Sequence, residues 1–219
     1  MPAVIWLLRR AVVLAVPLLL VSCSGVYYSA LETLGIEKRE LLVDRVEGAR
    51  DAQAQAQKQF KDALEQFKAL VGYDGGELES MYLRLSDQYD GCQSRANTVR
   101  ERIAGVKNVA DALFREWQDE LAQYSDAGLR RKSERQLAET RERTRRLLAV
   151  MDRAAARMDP VLAVFHDQVL FLKHNLNAQA LGSLDATAAS LQTDVTALVR
   201  EMQGAIAEAN AYLAALERR

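Results

Sequence analysis

Few residues in this chain can do chemistry on their own. Its two imidazoles, His166 and His174, stand eight positions apart, which on a helix is about 12 Å along the axis, too far to share one zinc ion. No metal site is expected. Two histidines, with carboxylates scattered along the chain in ordinary charge patterns, offer no Ser-His-Asp arrangement. Nor is there a GxxxxGK stretch followed by Ser or Thr to cradle phosphates. The thiols are Cys23 and Cys92. Cys92 falls on an apolar stripe, where a thiol behaves as a small hydrophobe. No disulfide framework exists, no cofactor is expected, and the chain does not read as an enzyme.

Two polar clusters remain as candidates for recognition. From Leu129 to Arg146 the bases Arg130, Arg131, Lys132, Arg135, Arg141, Arg143, Arg145 and Arg146 face only Glu134, Glu139 and Glu142. Positive charge at the start of a helix opposes the macrodipole, so helix stability alone does not explain it. It either pairs with Glu116, Asp119, Glu120 and Asp126 as a solvated face, or it touches anionic head groups through Arg130, Arg131, Lys132 and Arg135. The second cluster, Lys173, His174, Asn175 and Asn177, is either the polar exit of a helix or a small recognition patch.

The N-terminus has a different character. Arg9 and Arg10 precede an uncharged run from Ala11 to Val21, and Ser22-Cys23 follow. A charged segment, a short apolar core and a small residue at the cut are the parts of an export signal. Leu20-Val21-Ser22-Cys23 resembles the lipobox of bacterial lipoproteins, which implies cleavage before Cys23 and lipid on its thiol. Ser24, where Asp would favour inner-membrane retention, implies the periplasmic face of the outer membrane by the same resemblance. Residues 1–22 are thus expected to be a signal peptide and 23–219 a single elongated helical domain. Removing Arg9 and Arg10 from 29 basic residues leaves 27 against 30 acids, a balance unsuited to binding nucleic acid.

The elements that position these groups follow from composition and period. Aromatics are only 6% of the chain, leaving little material for large sheets. Alternating four- and three-residue steps link Leu42, Val46, Ala49, Gln53, Ala56, Phe60, Ala63, Phe67 and Leu70, with Gln53 the one polar member. After Gly72 to Gly76, where Asp74 and Glu77 have capping-box spacing, the stripe resumes through Leu78, Tyr82, Leu85, Tyr89, Cys92, Ala96, Val99, Ile103, Val106, Ala110, Leu113 and Trp117. A break at Ser125 to Gly128 precedes a third stripe. It runs from Leu137, Thr140 and Thr144 to Phe165, Val169 and Leu172, with Pro160 expected to kink the helix without ending it. A last stripe runs from Leu184 to Leu216. The sequence therefore predicts an all-α fold: an elongated antiparallel helical bundle or coiled coil of about four long helices. Heptads do not reveal whether the seams close within one chain or between chains.

Several stretches are similar to one family of bacterial lipoproteins of unknown function, DUF2959: Gly35 to Val46, Ala49 to Gln53, Met158 to Leu162, and Asp167 to Ala178. The resemblance implies location and topology and carries no site residues with it. The expected role is a non-enzymatic structural or interaction module of the cell envelope, partnered with the membrane through its lipid. The alternative is an adaptor whose seams complete on a partner helix or a second copy.

Overall fold

The computed structural model describes residues 37–71, 78–175 and 184–217. Contacts divide the chain into two compact units, residues 1–41 and 42–219. Of the first, only 37–41 are described, the opening turn of a helix. Five α-helices are present among the described residues: α1 (Lys38–Val71), α2 (Leu78–Glu120), α3 (Ala127–Ala156), α4 (Met158–His174) and α5 (Asp185–Glu217). A short 3-10 turn, Leu121–Gln123, closes α2. No strand occurs among the described residues, and none of their helices is long and apolar enough to cross a membrane.

From Leu42 onward the predicted stripes supply most of the core; on the second, Leu78, Tyr82, Tyr89, Leu113 and Trp117 are only half-buried, while Leu85, Cys92, Ala96, Val99, Ile103, Val106 and Ala110 are buried. Every position of the first stripe, Gln53 included, is buried. So are all described members of the third stripe and all of the last except half-buried Ala188. These seams close on one another within a single chain. Polar contacts across the helix interfaces give the register. The Gln59 amide donates to Gln88 Oε1 at 2.8 Å, Lys107 pairs with Asp152 at 2.9 Å, and Arg50 reaches Asn210 Oδ1 at 3.4 Å. Gln59, late in α1, meets Gln88, early in α2; Arg50, early in α1, meets Asn210, late in α5; and from Lys107 to Trp117 along α2 the partners fall from Asp152 to Ser133 on α3, so α1 and α2, α2 and α3, and α1 and α5 run antiparallel. An edge-to-face pair, Phe67 and Phe165 with centroids 6.2 Å apart, joins α1 to α4 across the core.

The helices α1 and α2 approach closely at Gly91. A Cβ there would lie 2.7 Å from Gln59 Nε2, so a side chain would displace the amide that bonds Gln88. The third stripe is carried by two helices separated by one turn residue, Arg157, whose backbone is still right-handed helical and whose N–H bonds Arg153 O at 3.1 Å. Pro160 stands in the first turn of α4, where a missing N–H costs least. The kink without an end that the sequence predicted is instead a break, with one helix closing at Ala156 and the next opening at Met158, yet the apolar register passes through it from Ala154 to Met158 and Val161. The expected capping box at Asp74 and Glu77 lies outside the described residues.

Candidate functional site

The basic segment sits where α2 turns into α3. At the turn, Asp126 caps α3 by accepting from the Leu129 N–H at 2.8 Å. The indole of Trp117 donates to Ser133 Oγ at 2.7 Å, and Leu121 is buried beneath. These two hydrogen bonds hold the turn. Arg130, Arg131, Lys132 and Arg135 are all exposed on its α3 side. Arg130 pairs along its own helix with Glu134 at 2.9 Å. Among the described residues, Arg131, Lys132 and Arg135 make no ion pair.

Further along α3 two of the cations find local partners. Arg143 reaches Glu139 at 3.9 Å, and Arg145 binds Glu142 at 2.7 Å. Arg145 holds the Glu142 carboxyl below the usual carboxylate range, chiefly through that hydrogen bond. Arg141, though exposed, folds onto α2 instead. Its guanidinium lies over the Phe114 ring, 5.6 Å from the centroid, and donates to Phe114 O at 3.0 Å and Gln118 Oε1 at 3.2 Å. A shallow groove of about 450 Å³ runs beside it, lined by Ala110, Asp111, Phe114, Arg115, Arg141, Thr144, Arg145 and Leu148. Arg141 is committed to the α2 backbone, so the groove offers a ligand little besides apolar wall and solvated charge.

Two exposed apolar side chains flank the same turn, Tyr124 at 41% and Leu129 at 56% relative exposure. Sequence reasoning did not single them out. Their signal was slight: each adjoins the break at Ser125 to Gly128, with Leu129 off the third stripe and Tyr124 one heptad beyond Trp117, past the polar Glu120.

The second candidate patch lies at the other end of the α3–α4 path. Lys173 and His174 are exposed in the last turn of α4, next to its negative dipole end. Asn175 closes the helix: its N–H bonds Leu172 O, and its side-chain amide donates to Phe171 O at 2.9 Å. Those contacts describe a helix exit. Asn177, like Cys23, lies outside the described residues. His166 is apart from this patch, with its ring 5.5 Å from that of Tyr89 and its Nδ1 3.8 Å from Asp167. No group of three or more metal-binding side chains occurs among the described residues.

Comparison with curated proteins and with solved structures gave no match. The model of one protein family of unknown function matches residues 27–216, nearly the whole chain, and the protein therefore belongs to that family, DUF2959.

Proposed function

We propose that this protein is a non-enzymatic, lipid-anchored helical module of the bacterial cell envelope, held at the periplasmic face of the outer membrane through Cys23. The observation that carries the reading is the closure of the seams. From Leu42 to Leu70 every stripe residue is buried inside one chain. Such a bundle needs no partner helix to complete its core, so its outer surface and its tether are what it has to offer. The adaptor alternative requires an open seam and draws no support from those buried positions. The tether rests on sequence: Arg9 and Arg10, the apolar run to Val21, and Cys23 at its end. Lipidation of that cysteine supplies more than the two signals stable anchoring needs.

Metabolic labelling with a fatty acid tests the proposal. The wild-type chain should take up label and fractionate with outer membranes, and Cys23→Ala should do neither. Label retained by Cys23→Ala, or an unlabelled wild-type chain, overturns it.

A further inference from the structure

We propose that the α2–α3 turn is a membrane-contact element that takes an anionic phospholipid surface. Tyr124 and Leu129 would enter the headgroup layer while Arg131, Lys132 and Arg135 engage lipid phosphates. The inference deepens the envelope reading and rests on its membrane context, but the turn itself makes no use of Cys23.

Three observations support this assignment. First, large exposed apolar side chains are few among the described residues, and two of the five, Tyr124 and Leu129, flank this one turn. Leu121, in the 3-10 turn between α2 and α3, is buried, whereas these two are not. An aromatic ring with a polar tip beside an aliphatic side chain suits the boundary between head groups and acyl chains.

Second, the charge beside them is cationic and uncommitted. From Tyr124 to Arg135 there are two acids against four bases. Asp126 is engaged as the cap of α3, and Glu134 is engaged by Arg130. Asp119 and Glu120 are exposed on the last turn of α2, yet among the described residues they make no ion pair with Arg131, Lys132 or Arg135. The dipole of α3 adds partial positive charge at the same place. Cations kept there against that dipole are explained by an anionic surface outside the molecule.

Third, the turn is firm. The Trp117–Ser133 hydrogen bond and the Asp126 cap hold its two sides, so the backbone that presents Tyr124 and Leu129 is ordered before contact. The turn also lies at the end of the bundle where Leu42 begins the core, because α1 and α2 are antiparallel.

Full-length lipidated protein is reconstituted into vesicles with brominated acyl chains, and a Tyr124→Trp substitution serves as reporter, with the unsubstituted protein as blank. Vesicles containing phosphatidylglycerol should quench the reporter, and raised salt should relieve quenching. Adding Arg131→Gln, Lys132→Gln and Arg135→Gln should reduce it several-fold, with helicity unchanged by circular dichroism. Leu129→Ser, which keeps every charge, should also reduce it. Equal quenching in purely zwitterionic vesicles, or none in anionic ones, overturns the proposal. An anchor failure is distinguishable: the protein then leaves the zwitterionic vesicles on sedimentation, and any that stays with the anionic ones is held by the turn alone.

Discussion

The hydroxyl oxygens of Thr144 on α3 and Tyr212 on α5 lie 2.8 Å apart in the core, 68 residues apart in sequence. Thr144 also donates to Thr140 O at 2.9 Å. A threonine has one hydroxyl proton, so Tyr212 is the donor of the pair and Thr144 the acceptor. Thr140 is satisfied likewise by Gln136 O at 2.7 Å. The two threonines that thin the third stripe are thus buried without cost to their hydroxyls, and one of them ties two helices together.

A double-mutant cycle on this pair should show coupling. Tyr212→Phe and Thr144→Val each remove the bond and should each cost about 1 kcal/mol. The double variant should lose less than the two added together, with an interaction energy of about 1 kcal/mol in urea unfolding. Strict additivity would mean that the hydroxyls are neighbours without energetic consequence.

Gln53 is the opposite case. It is fully buried, and neither its amide nitrogen nor its amide oxygen has a hydrogen-bond partner. The register set by Gln55 with Arg95 on one side and by Gln57 with the Val199 carbonyl on the other places it deep within the α1 interfaces. An unsatisfied buried polar group costs about 1–3 kcal/mol. Gln53→Met keeps length and flexibility while removing that penalty. It should raise stability by a similar amount, read as a higher urea midpoint at unchanged slope. A lower midpoint would show that the amide has a role the apolar side chain cannot fill.

Much of this architecture was legible because a 3.5-residue period marks which face of a helix is buried. It does not mark which helix covers that face. Leu113 and Trp117, expected on the second seam, are only half-buried, and Phe114 and Leu121 take the inward positions. A straight helix has 3.6 residues per turn, so a strict heptad drifts off the contact line over several turns. From Ala110 the buried stripe steps by four to Phe114. Gln53 was visible as the lone polar member of its stripe, but spacing could not say whether a partner awaited it. At the α2–α3 turn the cations were legible as a run of residue types. The exposure of Tyr124 and Leu129 was not, because it depends on Leu121 and the Trp117–Ser133 bond having filled the space between the helices.

Cys92 gives a pH-dependent prediction. Its thiol is buried on the α1 side of α2, with Sγ 3.7 Å from Gln59 O. Burial pushes the thiol from 9.0 up to about 12, and the Asp62 carboxylate adds to the shift. Below pH 9 the thiol is protonated in both the folded and the unfolded chain, so its contribution there is constant and fully present. Above pH 9 the unfolded chain releases this proton and the folded chain keeps it, so stability falls by up to about 1.4 kcal/mol per pH unit until the folded thiol titrates. Cys92→Ala removes this term and leaves every other titrating group in place. The variant loses some packing and should be less stable at pH 8. Its stability should then decline less steeply than that of the wild type between pH 9 and pH 10.5, so that the two curves converge. Parallel curves across that range would show that the thiol ionises equally in both states, and hence that the α1–α2 seam admits water at Cys92.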